Sequence, residues 1–265
     1  MRNVLLWILA LVITLVSAVY QRMTGPTHPL RGQAEISGVE VAYRLLRSAE
    51  TTEDCRVGIR VSDPGVEGRL LYKRYPTEDP WTSVPMTREG ERLFAYLPRQ
   101  PAAGKLAYKV IVNVDGADHI LTGQDPLIFR FKNPVPNAAL IPHIIIMFLA
   151  MLVSTRAGIA ALDKRSNPRR FAIWAAALII VGGFIFGPLV QKYAFGVYWS
   201  GFPFGTDLTD NKTALALVAW IAALIAGRKN RPARPWVLAA SVVTLLVYLI
   251  PHSLLGSELD YSHLD

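Results

Sequence analysis

Residues 171–191 read FAIWAAALIIVGGFIFGPLVQ, 21 consecutive positions without a charged side chain. The hydrocarbon core of a bilayer is about 30 Å thick, and about 20 helical residues cross it. This run therefore predicts a membrane-spanning helix. Four further uncharged runs lie at residues 4–20, 138–155, 213–227 and 235–257. The sequence thus predicts an integral membrane α-helical bundle with five transmembrane helices.

The amino-acid composition also favours a membrane protein. Of the 265 residues, 52% are hydrophobic and 18% are charged, and the mean hydropathy is +0.29. Soluble domains carry about 25% charged residues. The single cysteine, Cys55, excludes an internal disulfide bond and any metal centre that needs several thiolates.

Two of the five runs leave their boundaries open. The first run ends in Val16-Ser17-Ala18, a small-residue motif of the kind found at signal-peptide cleavage sites, but its length also suits an anchor. We expect an uncleaved N-terminal anchor over residues 1–20. The fourth run has only 15 residues, so we expect its helix to begin a turn earlier, near Thr209–Lys212, with Thr209 or Asp210 as the N-cap.

Lysine and arginine are distributed unevenly between the predicted loops. With a cytoplasmic N-terminus, the inner pieces carry a net charge of +9 and the short outer pieces a net charge of −3. Basic residues in short cytoplasmic loops orient membrane helices. The inner basic residues are Arg2, Arg156, Lys164, Arg165, Arg169, Arg170, Arg228, Lys229, Arg231 and Arg234, opposed by Asp163.

This charge distribution predicts the location of the chain. We expect a multi-pass protein of the cell inner (cytoplasmic) membrane with its N-terminus in the cytoplasm. Residues 21–135 and the tail, residues 258–265, are then extracytoplasmic. The formal charge of +8 reflects topology on this interpretation, so the lipid bilayer is a predicted partner and nucleic acid is not.

The segment between the first two helices has a different pattern. Short runs of alternating apolar residues, separated by turns such as Asp63-Pro64-Gly65 and Asp115-Gly116, predict an antiparallel sheet. Seven strands are predicted, at residues 34–41, 41–46, 56–61, 69–75, 92–97, 105–114 and 127–131. The sequence therefore predicts an extracytoplasmic all-β sandwich domain inserted into the helical bundle.

A resemblance supports the sandwich. The segment Trp81-Thr-Ser-Val-Pro-Met86, with Gly90, Leu97-Pro98, Pro101-Ala-Ala-Gly104 and Tyr108, resembles immunoglobulin-like and fibronectin type III-like modules of bacterial surface proteins. The resemblance covers residues 33–132 only and implies a two-sheet fold without implying a function, because such sandwiches host many roles. The usual cysteine pair between the sheets is missing, and Cys55 is interpreted as a small buried core residue.

An aromatic outer loop at residues 188–212 interrupts the four predicted helices of residues 136–257. It alternates aromatic residues with glycine and proline until charge returns at Asp207. The simpler interpretation is an interfacial aromatic belt with Asp210 as a helix cap. The functional interpretation is a ligand or partner site, because ionisable groups at membrane depth need partners. Its candidate residues are Gln191, Lys192, Trp199, Asp207, Asp210 and Lys212.

Two histidines fall in the outer halves of predicted helices. His143 and His252 lie about 18 and 26 Å above the inner ends of their helices, at 1.5 Å per residue. Neutral imidazoles from two helices can ligate a haem b iron, or bind a metal ion together with Asp207 or Asp210. The alternative is that both are ordinary hydrogen-bonded residues, so the cofactor stays open.

Small residues mark a helix contact. Gly182, Gly183 and Gly187 include a GxxxG spacing in the 171–191 run. Small residues let membrane helices approach closely. We expect this face to pack against another helix of the same chain.

Catalytic motifs are missing from the sequence. The chain has no P-loop, Rossmann fingerprint, GxSxG or HExxH motif, and its cytoplasmic loops are too short for a soluble catalytic domain. We predict a non-catalytic subunit or an assembly or accessory protein of a membrane complex, for example a respiratory complex, that binds a protein partner through its outer domain and loop. The alternatives are a haem b or metal-binding electron-transfer protein using His143 and His252, and an outer-leaflet enzyme or transporter.

Overall fold

The computed structural model describes residues 1–228, 233–252, 256 and 258–263. The predicted inner-loop residues Lys229 and Arg231, and most of the last stretch of the fifth uncharged run, lie outside the described residues. The chain divides into two units. One consists of Met1–Pro26 and Val135–Ser257, and the other of Thr27–Pro134 and Glu258–Asp265.

The first unit is helical. Its helices are α1 (Arg2–Thr24), α2 (Asn137–Leu162), α3 (Pro168–Ile179), a π-helical segment (Ile180–Phe186), α4 (Gly187–Phe195), α5 (Leu208–Ala226) and α6 (Arg234–Leu249). Within the described residues, four spans are long and apolar enough to cross a membrane: α1, α2, the continuous stretch Pro168–Phe195, and α5. The chain is thus a multi-pass membrane protein. The predicted fifth span is shorter than expected, because α6 has 16 residues and ends before Pro251.

The helix boundaries follow local sequence signals. Helix α3 begins at Pro168 after the N-cap Asn167, whose side chain accepts a hydrogen bond from the Arg169 backbone nitrogen. Helix α4 ends at Gly196, which has a φ of +83° that glycine adopts without strain. Helix α5 begins a turn before its uncharged run, as predicted. The predicted N-cap was wrong, however: Asp207 caps α5, because its carboxylate reaches the free N–H groups of Thr209 and Asp210.

Small residues allow the helices to approach one another. A Cβ added at Gly182 would lie 2.7 Å from Met147 Sδ of α2, and one at Gly183 would lie 2.6 Å from Thr213 Cγ2 of α5. The expectation that the glycine face packs within the chain is therefore confirmed. A second close contact joins α2 to α6, where a Cβ added at Gly158 would lie 2.8 Å from Ser241 Cβ.

The second unit is a β domain of two sheets. Its strands are β1 (Leu30–Ile36), β2 (Val39–Leu45), β3 (Ser48–Glu50), β4 (Cys55–Val61), β5 (Glu67–Tyr75), β6 (Thr82–Pro85), β7 (Thr87–Glu89), β8 (Arg92–Leu97), β9 (Lys105–Val114), β10 (Ala117–Ile120) and β11 (Leu127–Lys132). The five-stranded sheet has the order β1-β2-β4-β8-β7. The six-stranded sheet has the order β3-β11-β9-β5-β6, with β10 paired to β9.

The strand prediction was right for the long strands and wrong for the first one. A continuous strand over residues 34–41 was expected, but the chain turns at Ser37 and Gly38, which have φ values of 51° and 81°. Strands β1 and β2 are the two arms of this hairpin. The short strands β3, β6, β7 and β10 were not predicted, because three or four residues are too few to show an alternating pattern.

Apolar residues from both sheets form one hydrophobic core. Val57 and Leu97 come from the five-stranded sheet, and Leu70 and Val110 come from the six-stranded sheet. Cys55 belongs to this core with 7% of its surface exposed, as predicted. Burial, reinforced by the charge of Glu53, raises the pKa of its thiol to about 11. The thiol is therefore protonated at neutral pH.

The C-terminal tail is part of the β domain. The Tyr261 hydroxyl accepts a hydrogen bond from the backbone nitrogen of Lys105 and donates one to its carbonyl oxygen, both at 2.9 Å. Lys105 Nζ lies 2.5 Å from Glu258 Oε1. The guanidinium of Arg74 lies 5.3 Å from the centre of the Tyr261 ring. The tail is thus held at the start of β9.

Candidate functional site

Asp210 organises the outer loop. Its Oδ2 accepts hydrogen bonds from the backbone nitrogens of Ser200 at 2.7 Å and Gly201 at 3.0 Å, and from Gln191 Nε2 at 3.1 Å. The residue is 8% exposed. Asp210 was predicted to cap α5, and this prediction was wrong. Its carboxylate instead joins α4, the loop and α5.

A second side chain of the same helix turn holds the loop. Asn211 Oδ1 accepts a hydrogen bond from the Phe202 backbone nitrogen at 2.7 Å. Trp199 donates its indole N–H to the Phe202 carbonyl at 3.1 Å, and its ring stacks on Phe184 at 5.4 Å. Phe202 and Phe204 are nevertheless 78% and 82% exposed. The loop thus presents two aromatic side chains on a backbone held by polar groups.

The two lysines of the predicted site lie apart from this network. Lys192 Nζ donates to the Gly196 carbonyl at 2.7 Å, so this lysine binds the end of its own helix α4. Lys212 is 5% exposed, and its Nζ donates to the Ile250 carbonyl at 2.6 Å, just after α6. Lys212 had been placed in a short outer loop, but it lies within α5 and is buried. The grouping of all six residues as one site stays a prediction.

The two histidines belong to a polar cluster around Lys212. His252 interacts electrostatically with Lys212, His143 and Asp207. His143 Nδ1 lies 3.0 Å from the carbonyl oxygen of Gly182 in the π-helical segment. A carbonyl only accepts hydrogen bonds, so Nδ1 carries the proton and Nε2 has the free electron pair. In metal sites, a ligating histidine is commonly oriented in this way.

The described residues supply no larger set of metal ligands. Among them, no group of three or more His, Cys, Asp or Glu side chains could hold a metal ion. The predicted metal site built from the two histidines with Asp207 or Asp210 therefore lacks support from geometry. Haem or metal ligation by His143 and His252 alone stays a prediction.

A basic surface on the β domain was not predicted from the sequence. The outward side of the five-stranded sheet carries five exposed arginines around a depression of about 750 Å³. We call this surface the arginine face; it consists of Arg31, Arg44, Arg56, Arg60 and Arg92. Gly58 of β4 is paired with Phe94 of the neighbouring strand β8. Because glycine has no side chain, it leaves space in the middle of the depression.

The strand register places like charges opposite each other. Arg31 of β1 is paired with Arg44 of β2, and Arg60 of β4 is paired with Arg92 of β8. Side chains of directly opposed residues are about 5 Å apart at Cβ, and like charges at that distance destabilise a sheet. The arginine face thus concentrates positive charge, although Glu89 of β7 is opposed to Arg92 on the other neighbouring strand.

Only part of this charge is neutralised. Arg56 pairs with Glu89 at 2.6 Å, and Arg60 pairs with Glu91 at 2.7 Å. In the described part of the chain, Arg31, Arg44 and Arg92 have no ion-pair partner within 4 Å. Three guanidinium groups are therefore available to an anionic partner.

The sequence does contain a signal for this surface. Arg56 and Arg60 flank Gly58 at every second position of a strand whose other residues are apolar. Such alternation places the arginines together on the solvent side of the strand. The positive and negative charges of residues 21–135 nearly cancel in total. The net charge of the segment therefore does not reveal that several of its arginines lie together on one face of a sheet.

Comparison of the chain with known protein families and with curated proteins gave no match.

Proposed function

We propose that this chain is a non-catalytic membrane accessory protein that binds an acidic segment of a partner protein through the arginine face. The opposed pairs Arg31–Arg44 and Arg60–Arg92 are the observation that supports this proposal. Guanidinium groups bind carboxylates through paired, charge-assisted hydrogen bonds. An acidic partner would replace the repulsion within each pair by attraction.

The shape of the surface favours a polypeptide over a flat membrane surface. The arginines occupy four neighbouring strands, which span about 14 Å at a strand spacing of about 4.8 Å. They surround a depression, whereas a planar bilayer surface would touch only its rim. A chain with several Asp or Glu residues fits both the width and the concavity.

The outer loop offers a second contact. The backbone next to these rings is held by the bonds of Asp210 to Gly201 and of Asn211 and Trp199 to Phe202, and the side chains of Phe202 and Phe204 are exposed. Exposed aromatic side chains with little conformational freedom are common anchors at protein interfaces. We propose that this tip contacts a partner within the membrane complex.

The proposal includes a topology. The β domain is an immunoglobulin-like or fibronectin type III-like sandwich on the extracytoplasmic side, the N-terminus is cytoplasmic, and α6 is the fifth span, about 24 Å long at 1.5 Å per residue. Tyr261 of the tail packs against Lys105 of the β domain, which supports a location of both on the same side of the membrane. The chain between them then crosses the membrane an even number of times. The basic inner loops support the orientation.

A second candidate function rests on His143. Its Nδ1–H bond to Gly182 orients the ring with Nε2 as electron-pair donor, which favours a haem b or metal-binding electron-transfer protein using His143 and His252. An absorbance spectrum and metal analysis of protein purified in mild detergent test this candidate. A Soret band that His143→Ala removes would support it, and a colourless, metal-free protein would eliminate it.

The main proposal is tested by photocrosslinking in intact cells. A photoreactive amino acid replaces Ala42, which is paired with Arg60 within the arginine face. We expect a discrete protein adduct that the double variant Arg44→Glu/Arg92→Glu abolishes. The matched control is Arg99→Glu, an exposed arginine of the same domain outside the face.

The location of the crosslink decides the interpretation. Mass spectrometry should place it in a segment rich in Asp and Glu. Failure to form an adduct, or an adduct of equal yield in the double variant and in the Arg99→Glu control, would contradict the proposal.

A further inference from the structure

Arg156 is a buried cation inside the helical unit. It was predicted in a cytoplasmic loop, but it lies in α2, six residues before the end of that helix at Leu162, and is 2% exposed. Its guanidinium carbon lies 4.6 Å from the centre of the Phe171 ring and 5.6 Å from that of Trp7. Its Nη2 donates to Asn3 Oδ1 at 2.8 Å. The cation is thus held between two aromatic rings.

The hydrogen-bonding capacity of Arg156 is only partly used. Its Nε and Nη1 are buried and have no hydrogen-bond partner among the described residues. A buried, charged donor without a partner is costly, and most such groups in proteins are paired. This guanidinium therefore keeps two buried N–H groups that no described residue satisfies.

The nearest acidic residue is already engaged. Asp163 interacts electrostatically with Arg156, but its carboxylate oxygens bind Arg2 at 3.5 Å, Ser166 Oγ at 2.7 Å and the Arg165 backbone nitrogen at 3.0 Å. Arg2 in turn repels Arg156. The surroundings of Arg156 thus keep an excess of positive charge.

A cavity of about 530 Å³ adjoins this cation. Arg156 and Arg170 form part of its wall, together with Asn167 at the start of α3. The start of α3 adds no free anion-binding amide at its first two positions, because Pro168 has no N–H group and Asn167 accepts the N–H of Arg169. Trp7, Phe171 and Trp174 supply the apolar part of the wall, and Trp174 is 60% exposed on the membrane-spanning stretch that begins at Pro168.

We infer that this cavity binds the phosphate of an anionic phospholipid. Arg156 and Arg170 would bind the phosphate, and the acyl chains would pass along Trp174. The lining combines cationic groups with aromatic walls at the basic end of membrane-spanning helices, the setting in which basic pockets bind lipid headgroups. The site is separate from the β domain, so it does not depend on the proposed function.

Native mass spectrometry of the full chain in mild detergent tests the inference. The probes are phosphatidylglycerol, phosphatidylcholine with the same acyl chains, and inorganic phosphate. We expect phosphatidylglycerol to bind about tenfold more tightly than phosphatidylcholine, because both lipids carry the phosphate but the choline cation of phosphatidylcholine would be repelled by the excess positive charge around Arg156 and Arg170. Inorganic phosphate alone should not compete at the same concentration.

Variants assign the binding to the cavity. Arg156→Gln and Arg170→Gln should each remove the preference for phosphatidylglycerol. Arg170 is exposed and should be replaceable without loss of folding. If Arg156→Gln does not fold, the lipid preference of Arg170→Gln therefore tests the inference. The matched control is Arg165→Gln, an exposed arginine in the connection between α2 and α3 that does not line the cavity.

Three results would overturn the inference. Equal binding of both lipids would remove the headgroup specificity. Competition by inorganic phosphate would assign the cavity to free phosphate. An unchanged preference in Arg170→Gln, or an equal loss in Arg165→Gln, would place the binding elsewhere.

Discussion

The carboxylate of Asp210 lies 2.7 Å from the backbone nitrogen of Ser200, ten residues earlier in the chain. The same oxygen accepts the next backbone N–H, that of Gly201, at 3.0 Å. A charged acceptor thus binds two successive amides of a loop that has little regular structure. The conformation of the loop depends on this residue rather than on its own backbone hydrogen bonds alone.

The first prediction concerns Asp210→Ala. The substitution leaves the buried N–H groups of Ser200 and Gly201 without this acceptor, at a cost of about 1–3 kcal/mol each. We expect faster proteolysis and faster hydrogen exchange of the loop in detergent-solubilised protein. Asp125→Ala, at an exposed carboxylate of the β domain, serves as the control. An equally protected loop in Asp210→Ala would contradict the role assigned to this carboxylate.

The second prediction concerns Cys55. Burial raises the pKa of its thiol to about 11, so almost no thiolate is present at pH 8. Since the thiolate is the reacting species, we expect iodoacetamide to modify Cys55 only after unfolding. Mass spectrometry of native and denatured samples measures the difference. Rapid modification of the native protein would show that the β-domain core is open at this position.

The third prediction concerns Tyr261→Phe. The variant keeps the ring but loses both hydrogen bonds to the Lys105 backbone, at a cost of about 1–2 kcal/mol. We expect a lower melting temperature of the β domain and easier cleavage of the tail by carboxypeptidase. Tyr96→Phe, at an exposed tyrosine of the same domain, should leave both measurements unchanged.

The fourth prediction concerns the contact of α2 with α6. In Gly158→Ala, the new methyl group would lie 2.8 Å from Ser241 Cβ, and overpacking of this kind costs about 1–3 kcal/mol. We expect reduced thermal stability in detergent. The double variant Gly158→Ala/Ser241→Gly removes the opposing atoms and should recover part of the loss. A double variant no more stable than Gly158→Ala would mean that the two helices do not meet here.

The fifth prediction concerns pH. The hydrogen bond from Arg74 holds the pKa of Asp79 below its ordinary value of 3.8. The unfolded state therefore takes up a proton at higher pH than the folded state, so this stabilising contribution is complete above pH 3.8 and is lost as the pH falls through the lowered pKa. Asp79→Asn should show a shallower loss of stability in acid than the unsubstituted protein. Identical acid profiles would exclude a contribution from this pair.

The features that were predictable are those that depend on local sequence patterns. The length of the uncharged run at 171–191 and the alternation in β4 and β9 have direct physical causes in bilayer thickness and strand geometry. The turn at Ser37 and Gly38 has a signal that was missed, because the apolar positions shift there from even numbers, Ala34 and Ile36, to odd numbers, Val39 and Val41. Short strands such as β7 depend on pairing with a neighbour, which a single sequence does not reveal.

In the candidate sites, too, local patterns were predictable and contacts between distant parts of the chain were not. The pattern singled out Asp210 and Lys212 as unusual, but their partners, Ser200 and Ile250, are determined by how the chain folds back. Arg156 was counted as a loop charge because the preceding uncharged run ends at Thr155, whereas its helix continues to Leu162. The aromatic rings that cover this cation come from α1 and α3, which are distant in sequence.

The tail held by Tyr261 gives the β domain a third attachment. The chain passes between the two units after Pro26, after Pro134 and after Ser257. A protease that cuts the chain once, after Pro26 or after Pro134, would leave residues 27–134 joined to the membrane covalently by the other of these connections and non-covalently by the tail. Release of residues 27–134 as a soluble fragment would therefore require cleavage after both Pro26 and Pro134, together with either cleavage after Ser257 or withdrawal of Tyr261.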